Sequence, residues 1–115
     1  MSESLRPCER IKKQSDFSRI YKEGLRYKGK YFIFIYHSNY LNFSRMAVVV
    51  SKRHGKSVIR NKIKRWAREV FRRNKELIKT PTDFILIPRK KIQEATWNDL
   101  TEDYQKSLNN IFSKG

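Results

Sequence analysis

The segment Ser57–Asn74 constrains this chain most, because it makes two different demands on two sides of one helix. Ile59, Ile63, Trp66 and Val70, with Leu77 beyond, recur at i, i+4, i+7, i+11 and i+18, the stripe of a helix packed on one side. Arg60, Lys64, Arg68 and Arg72 are spaced by four along a second face, with Asn61 and Arg65 beside it. Like charges at this spacing destabilise an isolated helix by a few tenths of a kcal/mol per pair. A row of such pairs makes sense when an anionic ligand removes the repulsion. One flank must therefore be buried in a core, and the other must be neutralised from outside the chain.

The charge is concentrated there. Between Lys52 and Lys75 stand eleven Lys and Arg against one acid, Glu69, which accounts for +10 of the formal net charge of +16. Ile92–Gly115, by contrast, has two Lys and four acids. A solvated helix face usually mixes charges, and this one nearly lacks acids. Arg predominates at 60, 65, 68, 72 and 73, where its planar fork suits phosphate oxygens. The surplus predicts a polyanionic partner, with nucleic acid ahead of an anionic membrane surface. The longest apolar run, Tyr31–Tyr36, is far short of the ~20 residues of a spanning helix, so no membrane partner is expected. Met1–Pro7 has no apolar signal-peptide stretch, and the single Cys8 cannot form an internal disulfide, which fits a reduced, cytoplasmic setting.

Around this helix the chain reads as one domain over residues 1–115, with 1–10 an extended lead-in. Ser15 is an expected N-cap with Asp16 in the first turn, Phe17, Ile20 and Tyr21 follow at helical spacing, and Gly24 stops a helix over about 15–23. Tyr31–His37 is β-branched and aromatic, a strand covered on both faces. Ser38–Asn42 is turn-like and Met46–Ser51 is a second strong strand, so the pair reads as an antiparallel hairpin, with a weaker strand at Leu25–Lys28. After Thr80-Pro81-Thr82, Asp83–Ile87 makes another strand closed by Pro88. Thr96 and Asp99 form a capping box for a last helix with Leu100, Tyr104, Leu108, Ile111 and Phe112 on one face. The order αβββαβα indicates an α+β (split βαβ) domain with helices packed on a single small mixed sheet.

Ser51–Ser57 leads straight into the basic helix. Gly55 permits a positive φ or close backbone approach, and the free N–H groups of the helix start favour an anion. The G-x-x-x-x-G-K spacing of a nucleotide-binding loop is absent, so a phosphate-binding turn without nucleotide chemistry is expected. His37 and His54 have no motif partner, and the acids are scattered except for Asp99, Glu102 and Asp103 at a helix opening, where they suit the dipole. No catalytic or metal-ligating residues are expected in the chain. Trp66 and Trp97 read as core.

Gly55-Lys56-Ser57-Val58-Ile59-Arg60-Asn61-Lys62-Ile63-Lys64-Arg65-Trp66-Ala67-Arg68-Glu69 resembles the signature of the bacterial ribonuclease P protein subunit. The family's Arg-Asn-Arg core becomes Arg60-Asn61-Lys62 here, which keeps the charge and loses one bidentate fork. Asp16-Phe17 with Tyr21, Lys22 and Gly24, the strand Arg45–Arg53, the strand Asp83–Arg89 and the closing helix extend the resemblance over nearly the whole chain.

The resemblance implies a left-handed strand–helix–strand crossover, where general preference favours the right-handed form. It implies that Arg60, Asn61, Lys62, Lys64, Arg65 and Arg68 face a catalytic RNA. It implies a cleft that receives the single-stranded 5′ leader of precursor tRNA, lined by Phe17, Tyr21 and Ile35. Lys52, Arg53, Lys56, Arg89 and Lys90 would stand near leader or RNA phosphates. The RNA would carry the reaction and its Mg2+, with one protein per RNA. From the residues alone, Phe17 and Tyr21, four apart on a short helix, can provide a stacking platform, with a core role as the alternative. A ribosomal or other structural RNA-binding protein, or a DNA reader using the same helix, remain alternatives; the strand before the basic turn counts against a helix-turn-helix.

Overall fold

The computed structural model describes residues 6–113, so the first five residues of the expected lead-in lie outside the described part. Helix α1 (Gln14–Glu23) is followed by strands β1 (Leu25–Lys28), β2 (Phe32–Ser38) and β3 (Arg45–Val48). Helix α2 (Ser57–Arg73), strand β4 (Thr82–Pro88) and helix α3 (Trp97–Phe112) complete the order. Short 3-10 turns stand at Pro7–Glu9, Lys52–His54, Lys75–Leu77 and Lys90–Glu94. The α+β architecture with the order αβββαβα is the one expected.

The sheet order is β1-β2-β4-β3, with β4 antiparallel to β2 and parallel to β3. The expected hairpin between β2 and β3 is therefore wrong: β4 lies between them. Burial explains the insertion. Thr82 through Leu86 are all buried, so β4 needs a neighbour on both edges and cover on both faces, whereas β3 is only partly buried. β3, α2 and β4 thus form a strand–helix–parallel strand unit.

Each face of the sheet has its own core. Phe32, Phe34, Met46, Phe84 and Leu86 face α2 and α3, which contribute Ile63, Ala67, Val70 and Phe71, and Leu100, Tyr104 and Leu108. Of the apolar stripe read from the sequence, Ile63 and Val70 are buried, joined by Ala67 and Phe71, whereas Trp66 is half-buried, Ile59 is exposed and Leu77 has left the helix for the turn at Lys75–Leu77. On the other face Ile35 and Ile85 pack with Ile11 and Ile20, and Phe17, Ala47 and Ile87 border them.

The first helix starts differently from expectation. Its N-cap is Lys13, with no side-chain cap, and Ser15 is an exposed residue of the first turn. Tertiary bonds from Asp16 fix the helix instead (below). Gly24 does end it, through crowding: an added Cβ would lie 2.6 Å from the Ile20 carbonyl oxygen and 2.9 Å from that of Tyr36. The lead-in is also more structured than expected. Arg10 bridges to Met46, and the buried Glu9 accepts a hydrogen bond from Lys75. In α3 the Thr96 hydroxyl accepts from Asp99 N–H at 3.1 Å while Asp99 accepts from Thr96 N–H at 3.2 Å, the capping box that the sequence indicates.

One carboxylate joins four parts of the chain. Asp83, fully buried on β4, accepts from Arg45 Nε at 2.9 Å and Nη2 at 2.6 Å and from Asn39 Nδ2 at 2.9 Å. Arg19 of α1 approaches it to 3.5 Å, and Asp16 binds both Arg19, at 3.2 Å, and Arg45, at 3.4 Å. The Asp83 hydrogen bonds, outweighing burial, raise the Arg45 guanidinium above its ordinary value. Partial burial pushes Asp16 up, but the Arg19 hydrogen bond and the Arg45 and Arg19 charges hold it below its ordinary value.

Replacing the partner of a buried charge costs about 3–5 kcal/mol. Asp83→Ala is expected to lose stability of that order in urea unfolding; a loss under about 1 kcal/mol would contradict the account. Because the folded Asp16 carboxyl is lowered, its contribution is complete above the unfolded value of about 3.9 and disappears as pH falls through the folded value. The urea midpoint should therefore fall on acidification below about pH 4, and Asp16→Asn should flatten that fall.

Candidate nucleic-acid interface

The turn before α2 is clamped through its backbone. Gly55 has φ 119° and ψ −170°, a conformation open to glycine, and an added Cβ would press on Ile59 at 3.2 Å. His54 Nδ1 lies 3.0 Å from Ser51 N–H, which it accepts, and Nε2 lies 3.0 Å from the Pro88 carbonyl oxygen. These partners assign the neutral Nε2–H tautomer, with His54 buttoning the turn to the end of β4. The ring is thus committed to the backbone. Arg60 reaches back to the Gly55 carbonyl at 3.0 Å and the Ser57 hydroxyl at 3.2 Å. Lys52, Arg53 and Lys56 stay exposed on this fixed turn.

The basic residues of α2 sort into separate groups. Asn61, Lys62 and Arg65 are exposed, while Arg60, Lys64 and Arg68 are half-buried. At the C-terminal end Glu69 accepts from Arg72 at 2.5 Å and Arg73 at 2.5 Å, so the row of like charges ends in a local ion-pair cluster. The Arg72 hydrogen bond, with that of Arg73, lowers the Glu69 carboxyl despite partial burial. Burial and the neighbouring Arg10 lower the Arg68 guanidinium. Arg10 Nε is itself buried with no hydrogen-bond partner among the described residues. Sequence reading missed Arg10, because no local signal places it there: its pairing with Met46 does.

On the opposite face of the sheet, α1 and the strands form a second surface. Phe17 is half-buried against the small core and Tyr21 is 37% exposed. Ile35 has no exposed surface, so it cannot line a groove, contrary to expectation. It lies under the cover that Ile11 and Ile20 provide. Ile33 and Ile87, paired in register on the same face, are half-buried and offer the apolar floor. Arg26 and Lys28 stand opposite Ile35 and Ile33 in the β1 register, so they share that face and are exposed. Alternation settles which side of β2 faces α1, a question left open by a strand apolar on both faces. Lys90 is exposed, while Arg89 is half-buried and donates to the Gly29 carbonyl at 2.7 Å.

Among the described residues, no group of three His, Cys, Asp or Glu could hold a metal ion. His37 lies 3.4 Å from Arg19 and 3.7 Å from Glu23, and no second histidine pairs with it. Among the described residues no helix is long and apolar enough to cross a membrane. The two surfaces thus present cations on the helix and turn on one side, and apolar and aromatic groups edged by cations on the other. Gly55→Ala should cost about 1–3 kcal/mol in unfolding free energy, because the turn cannot keep its backbone conformation; an unchanged unfolding midpoint would show that the turn relaxes freely.

The sequence matches the family model described as ribonuclease P over residues 5–112. A ribonuclease P protein component of Thermotoga maritima is 45% identical over 94 residues, covering 82% of this chain and 80% of the relative. That of Fusobacterium nucleatum is 36% identical over 102 residues, covering 89% and 92%. Among solved structures, the ribonuclease P protein of Staphylococcus aureus superposes with a TM-score of 0.82 at 34% identity, covering 90% of this chain and 95% of that one. The Thermotoga maritima protein gives 0.81 at 36% identity, covering 93% and 99%. With sequence and fold in agreement over most of its length, the chain belongs to the ribonuclease P protein family.

Proposed function

We propose that this protein component of ribonuclease P, the endoribonuclease that processes tRNA 5′ ends as a holoenzyme, contributes two RNA-binding surfaces and no reacting group. The observation that carries the proposal is the separation of those surfaces by the sheet: the cationic helix α2 packs on one face, and Phe17 and Tyr21 stand on the other. The catalytic RNA takes the first surface, through Arg60, Asn61, Lys62, Lys64, Arg65 and Arg68, with Arg10 beside Arg68. A phosphate there would relieve the juxtaposition of two guanidinium groups. The 5′ leader of precursor tRNA takes the second, with bases on Phe17 and Tyr21 over Ile33 and Ile87, and phosphates near Arg26 and Lys28. Lys52, Arg53, Lys56 and Lys90 supply further phosphate contacts. Arg89 acts as a positioning residue that holds the Gly29 turn.

Single-stranded RNA held this way gains about 1–3 kcal/mol per base stacked on an aromatic ring, and its phosphates add salt-dependent affinity. We assign Mg2+ to the RNA. Among the described residues no group of three His, Cys, Asp or Glu could hold it, and Asp16 and Asp83 are bound to guanidinium groups. We further assign residues 1–115 to one domain, acting as one protein per RNA, in the cytoplasm.

The test is maturation of precursor tRNA by the cognate catalytic RNA at low Mg2+, with and without the protein. Stimulation is expected; its absence would refute the reading, and cleavage by the protein alone would refute the assignment of catalysis to RNA. Arg65→Ala should weaken catalytic-RNA binding and reduce the slope of log affinity against log salt by about one. Phe17→Ala should weaken binding of precursor tRNA more than of mature tRNA; equal losses would make Phe17 a core residue only.

A further inference from the structure

Trp66 and Trp97 pack only partly on the core, although an indole on the apolar stripe of a helix is expected to be buried there. Their rings meet edge to face at 5.5 Å between centroids, with an interplanar angle of 76°. Lys62 Nζ lies 4.5 Å above the Trp66 ring, and Arg73 lies 5.6 Å above that of Trp97. The two indoles border an open recess of about 460 Å³ between α2 and the start of α3, edged by Arg65 and Arg73. On the other side of Trp66 a smaller hollow of about 160 Å³ continues the groove over Ile59, Ile63 and Ile92. Glu69 borders the larger recess, but it is bonded to Arg72 and Arg73 and offers no free negative charge.

We infer that this groove is a base-stacking site for an unpaired nucleotide of the catalytic RNA, distinct from the leader surface and on the other side of the sheet. The inference rests on the reading that α2 binds that RNA, and it adds a recognition mode to it. Charge decides the occupant. An apolar peptide would gain from the indoles and isoleucines but would bury Lys62 and Arg65 without counterions, Arg73 alone being paired, with Glu69. A nucleotide satisfies both, with the base against an indole already polarised by a cation and the phosphate against the guanidinium groups. Exposed Lys62 and Arg65 line the groove, so an RNA strand lying on the outer surface of α2 meets cations at its edge.

The chain has two tryptophans, and both stand in this groove, so intrinsic tryptophan emission reports on it alone. The experiment titrates the full-length protein with the cognate catalytic RNA, and separately with oligoadenylate and an abasic strand of equal length. Emission is followed alongside filter retention. The catalytic RNA and oligoadenylate should quench the emission, while the abasic strand is retained through its phosphates but leaves the emission unchanged. Trp97→Leu, which keeps apolar bulk, should lower catalytic-RNA affinity at least about fivefold with an unchanged salt slope, since no cation is removed. Retention of catalytic RNA with unquenched emission would overturn the inference and leave the groove to a protein partner. Wild-type affinity in Trp97→Leu would do the same. Failure of the wild-type protein to retain the RNA at all would overturn the underlying reading instead.

Discussion

The ion pair between Asp83 and Arg45 governs how this molecule is held together. A carboxylate without any solvent exposure near the start of the inner strand β4 is tolerable only because a guanidinium on β3 meets it with two hydrogen bonds. Arg19 and Asp16 then attach α1 to the same point, and Asn39 attaches the loop after β2. The helix that carries Phe17 and Tyr21 is thus anchored to the sheet by charge at one end and by Ile20 along its length. Orientation of the aromatic surface is a property of that network as much as of the apolar contact beneath it.

A net charge of +16 suggests a uniformly cationic body, but the structure divides its cations by task. Arg45 and Arg89 serve the fold, holding Asp83 and the Gly29 turn. Arg72 and Arg73 close on Glu69 and cap the charged row where α2 ends. Lys52, Arg53, Lys56, Lys62 and Arg65 remain exposed on elements whose backbone is fixed. Rigid presentation matters because cations already held in place lose less side-chain freedom when an anion binds.

Local patterns were legible in the sequence to the extent that the deciding forces are local. The stripe Ile63, Trp66 and Val70 located α2, and Thr96 with Asp99 located the start of α3, since stripe and cap depend on neighbours a few residues away. The motif Arg60–Arg68 located the cationic surface and its family. Pairing of β2 with β3 was misread, because strand adjacency depends on which segment most needs cover on both edges, and that is settled by β4. Ile35 was misplaced for a related reason: two apolar faces look alike until α1 is laid on one of them. Arg10, Arg26 and Lys28 acquire their roles only through register.

The central place of β4 also bears on how the chain emerges during synthesis. β2 and β3 both pair with β4, so after Val48 has been made neither has its main partner until Pro88 follows. At roughly 5–20 residues per second that interval lasts roughly 2–8 seconds, and an unpaired strand edge is an invitation to other chains. The stretch made during that interval includes Lys52–Lys75, the most cationic part of the protein. Nascent copies therefore repel one another while their strand edges are open, and the charge that suits a polyanion also guards the unfinished sheet.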